Sequence, residues 1–128
     1  MENVNGLSAG ALAFVGDAVY GLMVREKLAE INRPQGQLHK MSVEYVNANA
    51  QADAYKIIEP LLTENELQQF KRGRNLHTNN TPKNSSVANY HTATGIEALF
   101  GYLYLSGKSE RAKQLFEIIW ESQTDSLL

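Results

Sequence analysis

A chain of 128 residues with 43% hydrophobic content holds enough material for one ordinary core and too little for two, so a single domain over residues 1–128 is expected. With no cysteine it can form neither a disulfide framework nor a thiolate metal centre, which fits a reducing cytoplasm and leaves oxygen or imidazole as the only metal ligands. Its 12 Lys plus Arg against 14 Asp plus Glu give a formal net charge of −2, which argues against general attraction to nucleic acid and directs attention to local patches.

The N-terminus, Met1 to Gly6, has no basic segment followed by an apolar core and does not read as a secretory signal. No run reaches the roughly 18 to 20 apolar residues of a membrane span, so a soluble, intracellular protein is expected. The first helix should run from about Ser8 to Lys27. One carboxylate, Asp17, stands alone in its apolar stretch Ala11 to Val24. An ionised carboxylate in such a setting needs a partner, a hydrogen bond or a metal. A bland alternative makes Asp17 the cap of a helix starting after Gly16. On one continuous helix, Asp17 shares a face with Ala13, Gly21 and Tyr20, and the small neighbours leave room for an approaching group.

The stretch from Asn32 to Gly36 reads as a turn. A second helix follows, with Leu38, Met41, Tyr45, Ala48, Ala52 and Tyr55 as one buried stripe and Glu44, Asn47, Gln51, His39 and Lys40 on the other face, until Pro60 stops it. Thr63 and Glu66 have capping-box spacing, with Leu62 and Leu67 placed as a hydrophobic staple, so a third helix should carry Leu67 and Phe70 inward and end near Gly73. From Lys71 to Asn84 the chain is basic and contains no acid: Lys71, Arg72, Arg74, His77 and Lys83 fall there. A solvated loop would explain this. So would a loop that grips phosphate oxygens, and the polar run extends through Ser85, Ser86 and Asn89, longer than most connections.

A fourth apolar helix, Tyr90 to Leu105, repeats the first one's pattern with Glu97 as its lone acid, Ala93 and Gly101 four residues either side and Phe100 three after. Ser106 and Gly107 close it. The last helix shows Ala112, Leu115, Phe116, Ile119 and Trp120 on one face, and nothing reads as a strand, so the fold class is all-α. If the fold brings Asp17 and Glu97 together, a divalent cation would relieve their charge. Oxygen-only ligation favours Mg²⁺, with Mn²⁺ as a substitute, and the basic loop beside Glu97 makes metal-assisted phosphodiester hydrolysis the leading chemistry.

The segments AFVGDAVY around Asp17 and GIEALFGYLYLSG around Glu97 resemble the two acidic motifs of the ribonuclease III family. The likeness continues through MSVEYVNANAQA and through RGRN followed by TPKN, spans nearly the whole chain, and is nearest to the Mini-ribonuclease III branch. It implies an all-α endonuclease domain that forms a homodimer, with the Asp17 helix at or near the two-fold interface and no double-stranded RNA-binding domain. It further implies Mg²⁺-dependent cleavage of double-stranded RNA to 5′-phosphate and 3′-hydroxyl ends. The implied substrate is precursor 23S (large-subunit) ribosomal RNA, with a large-subunit ribosomal protein as a further partner. Asp17 and Glu97 match the family's metal-holding catalytic acids, while Ala13 and Thr94 stand where the wider family has two more. A non-catalytic RNA-binding module is the alternative that this loss suggests. Arg72, Arg74 and Lys83, with Lys71, His77 and Lys40, are the candidate phosphate contacts, so duplex shape should outweigh base identity in recognition.

Overall fold

The structure, a computed structural model, describes residues 3–76 and 86–124. Within them run helices α1 (Ala9–Ala29), α2 (Gln35–Val46), α3 (Ala48–Ile58), α4 (Glu64–Arg74), α5 (Val87–Leu105) and α6 (Ser109–Thr124), with 3-10 turns at Val4–Gly6 and Glu59–Leu61. The described residues contain no strand, so the all-α expectation holds. None of the described helices is long and apolar enough to cross a membrane.

Local chemistry sets most of the ends. Ser8 caps α1 by accepting the Ala11 N–H at 3.1 Å. The Thr63 hydroxyl accepts the Glu66 N–H at 3.1 Å and the Glu66 carboxylate accepts the Thr63 N–H at 2.9 Å, so the capping box is present. Ser86 caps α5 through the Asn89 N–H, which starts that helix three residues earlier than its apolar pattern alone suggests. At its far end the Lys108 N–H reaches the Leu103 carbonyl and Gly107 takes φ +75°, a left-handed stop that glycine accommodates without strain.

Two expectations along the chain are corrected. The single helix expected from Leu38 to Pro60 is two helices. Asn47 adopts extended backbone, its Oδ1 accepts the Ala50 N–H at 2.8 Å, and its Nδ2 donates to the Val43 carbonyl at 3.0 Å. It thereby closes α2 and opens α3, and the change of axis turns Gln51 into the interior. Gly73 does not stop α4 either. It lies buried inside that helix, where a Cβ would come within 2.6 Å of Ala98 Cβ, and α4 continues to Arg74.

α5 is the central element and packs against α1, α3, α4 and α6. That explains why it is apolar nearly all round rather than on one stripe. Tyr20 meets Phe100 and Phe116 edge-on at 5.2 and 5.4 Å between ring centres, and Tyr55 stacks on Phe70 at 3.8 Å. α6 adds Ala112, Leu115, Phe116 and Ile119 to the core as its periodicity predicts, with Trp120 half-buried against Tyr45. Arg111 ties α6 to the start of α4: its Nε and Nη2 bond the buried Glu66 carboxylate at 2.9 and 3.0 Å. Burial alone would raise the Glu66 carboxyl, but these bonds and those from Thr63 outweigh it and hold the group below its ordinary value.

Candidate active site

α1 and α5 meet backbone to backbone. A Cβ on Gly16 would overlap the Glu97 carbonyl oxygen, and one on Gly101 would overlap that of Leu12. Only glycine permits this approach. Gly16 directly precedes Asp17 and touches the backbone of Glu97 itself, so the same contact fixes how far apart the two acids stand. The close approach is made by Gly16 and Gly101, while Gly21 lies away from α5 under Arg25.

Asp17 lies mid-helix, which rules out the capping alternative, and its side chain is exposed. That exposure departs from the buried surroundings its apolar neighbours suggested. Only one face of α1 packs against α5, and the opposite face leaves Phe14 and Leu22 uncovered in a single chain. Glu97 is half-buried, and its carboxyl is hydrogen-bonded to that of Asp17. Burial first, then that bond and the Asp17 charge, push the Glu97 carboxyl up to about 8. Near neutral pH Glu97 therefore favours its protonated form beside the Asp17 carboxyl. A divalent cation could replace that proton, because two hard oxygen ligands suit Mg²⁺ or Mn²⁺. Among the described residues no third His, Asp or Glu joins them, so water and substrate phosphate would have to complete the coordination.

The basic candidates divide. Lys71 and Lys40 are exposed, and Arg74 is half-buried with its guanidinium 5.8 Å from the Phe70 ring. Arg72 is already engaged: Nη1 donates to Gln69 Oε1 at 2.9 Å and Nη2 to the Leu7 carbonyl at 2.7 Å, which pins the N-terminal segment to α4. Its fork therefore already meets two acceptors inside the fold. His77 and Lys83 lie outside the described residues. A polar link that the sequence did not announce, Asn89 Nδ2 to Asn49 Oδ1 at 2.9 Å, joins the start of α5 to α3.

The Ribonuclease III domain model matches residues 10–108, a span that contains both acids and the glycine seat. The chain belongs to the ribonuclease III family. It is 51% identical over 118 residues to the Mini-ribonuclease 3 of a Thermoanaerobacter species, covering 91% of this chain and 83% of that protein. The Brevibacillus brevis Mini-ribonuclease 3 is 45% identical over 108 residues, covering 83% and 80%. A crystal structure of a Fusobacterium nucleatum protein superposes with a TM-score of 0.86 at 31% identity, covering 96% of this chain and 99% of that one.

As a ribonuclease III family member the chain is an endoribonuclease, a hydrolase acting on double-stranded RNA. Ala13 and Thr94 explain themselves physically in this fold. Ala13 is buried in an apolar cluster with Leu12, Ala98 and Tyr102, against which Val4 and Leu7 pack. The Thr94 hydroxyl donates to the Tyr90 carbonyl at 3.0 Å, a bond inside its own helix.

Proposed function

We propose that this chain is a Mg²⁺-dependent endoribonuclease of the cytoplasm that works as a homodimer and matures precursor 23S ribosomal RNA. The observation that carries the reading is the side-by-side placement of the Asp17 and Glu97 carboxyls, with Gly16 seated on the Glu97 backbone. Two carboxyl groups forced together in this way store a demand for positive charge, which suits a metal site better than a structural one. Asp17 and Glu97 would hold Mg²⁺, or Mn²⁺ in its place. When bound, the ion supplies charge to offset that building on the phosphate and lowers the pKa of water for in-line attack. The carboxylates orient that site and leave the phosphate's charge to be met by the chain's basic residues. Arg74, Lys71 and Lys40 meet backbone phosphates, joined by His77 and Lys83, while Arg72 contributes field and scaffold.

The homodimer reading rests on α1. Phe14 is 82% exposed, Leu22 57% and Tyr104 51%, and beside them Val15, Val19 and Met23 line an apolar groove. A contiguous apolar patch of this kind marks an interface more often than free surface. Because Phe14 and most of the groove's apolar lining lie on α1, with Tyr104 of α5 completing the wall, a two-fold pairing can use both twice. A large-subunit ribosomal protein as accessory partner fits an rRNA substrate.

The deciding experiment incubates the protein with a labelled, perfectly paired RNA duplex in Mg²⁺ or EDTA, beside single-stranded RNA and the Asp17→Asn variant. Cutting confined to duplex, dependent on metal and lost in the variant is the expected result. Near-normal turnover by Asp17→Asn would remove the metal assignment, and uncut precursor 23S RNA with cut synthetic duplex would remove the substrate.

A further inference from the structure

The α1 face that carries Asp17 continues through Gly21 to Arg25 in steps of four residues. Side chains on a helix lean toward its N-terminus, so Arg25 reaches back along α1 toward Asp17. How far it reaches is visible at Gly21, where an added Cβ would lie 2.8 Å from Arg25 Nη1. The guanidinium therefore lies over Gly21, and one helical turn, about 6 Å along the axis, separates that level from Asp17. A residue with a side chain at position 21 would stand between them.

Arg25 is exposed and uncommitted. The ion pairs among the described residues are Lys27 with Glu117, Lys56 with Asp53, Arg111 with Glu66 and Lys113 with Glu110, and none involves it. It also walls a groove of about 360 Å³ between the end of α1 and the start of α2, where Gln35, His39 and Ser42 stand around Leu28 and Leu38. Lys40, also exposed, follows His39 in the chain.

We infer that Arg25 binds a backbone phosphate of the RNA one helical turn from the Asp17 and Glu97 pair, and that the groove beyond it leads the strand toward His39. This rests on the nuclease reading of that pair. A guanidinium can hold two phosphate oxygens at once, and its charge offsets the repulsion that an incoming phosphodiester meets from two carboxylates. Arg25 thereby supplies close to the acids the cation that Arg72, bonded elsewhere, cannot.

The test measures binding of a perfectly paired synthetic RNA duplex to the full chain in EDTA, across a series of salt concentrations, for wild type, Arg25→Gln and Arg25→Lys. Arg25→Gln should bind about tenfold more weakly at low salt and lower the slope of log K against log salt by about one. Arg25→Lys, which keeps the charge, should keep the slope. Both should melt with the wild type, since Arg25 holds nothing in the interior. A wild-type slope in Arg25→Gln overturns the proposal, and so does an equal loss of slope in Arg25→Lys. Failure of the wild type to bind duplex overturns the nuclease reading along with it, a result distinct from wild-type binding that Arg25→Gln leaves unchanged.

Discussion

Replacing Glu97 by Gln should destroy the candidate site and stabilise the metal-free protein. In the unfolded chain a glutamate ionises near its ordinary 4.5, whereas in the fold Glu97 keeps its proton until about pH 8, chiefly because it is buried and then because of Asp17. Between those values the unfolded state has released a proton that the native state still holds, so stability falls as pH rises through this window. Converted at about 1.4 kcal/mol per pH unit, the rise has a ceiling of about 5 kcal/mol. The site is open on the Asp17 side, and water there screens the pair, so the effect expected at pH 8 is about 1–3 kcal/mol. The Glu97→Gln amide has no charge to lose and can still donate to Asp17. At about 4 °C per kcal/mol for a chain of this length, its melting temperature should exceed the wild type's by about 4–12 °C at pH 8 in EDTA. The two curves should converge as the pH falls toward 4.5. Adding Mg²⁺ at pH 8 should raise the wild-type melting temperature and leave the variant's much less affected. Melting curves that run parallel from pH 5 to 8 would show that the two carboxyl groups do not repel each other, and the site argument would fail with them.

Gly16→Ala drives a methyl group into the Glu97 carbonyl and should cost about 1–3 kcal/mol or more by overpacking, read as a lowered melting temperature. Cleavage should fall further than that loss explains, because the two acids move apart; full activity at a temperature where the variant is folded would refute this. Arg111→Ala leaves the Glu66 carboxylate buried without its cation and should cost about 2–4 kcal/mol at neutral pH. Glu66 is held below its ordinary value, so its stabilisation is present above pH 4.5 and lost as the pH drops below, and the variant's deficit in chemical denaturation should shrink in acid. Phe14→Asp should yield monomers in sedimentation; an unchanged mass would move the interface off α1.

The sequence is most legible where local chemistry and tertiary packing ask for the same residue. The capping box of Thr63 and Glu66, the apolar face of α6 and the two lone acids with glycine neighbours are of this kind. Each could be read from spacing because the residue type that suits the element also suits its packing. The break at Asn47 was hidden for a physical reason. Asn47 ends one helix and caps the next within a single residue, so the stripe of Tyr45, Ala48 and Ala52 keeps its spacing across a change of axis. Periodicity reports which face is buried, not whether the backbone stays continuous beneath it.

Side chains whose partners are distant in sequence were the hardest to read, and the arginines show why. Arg72 sits in the most basic stretch of the chain, yet its partner is the carbonyl of Leu7, a contact no local pattern announces. Arg25 sits in no charge cluster at all. Its significance comes from Gly21, whose missing side chain opens a lane toward Asp17 and would read in isolation only as a weak point in a helix. Charge density along the sequence therefore does not reveal which of these two guanidiniums already has acceptors inside the fold. Only the folded chain shows whether a guanidinium already has a hydrogen-bond acceptor of its own. Arg72 has two, and no ion pair among the described residues involves Arg25, so duplex RNA should respond to Arg25 in its salt dependence and to Arg72 chiefly through the stability of the N-terminal segment.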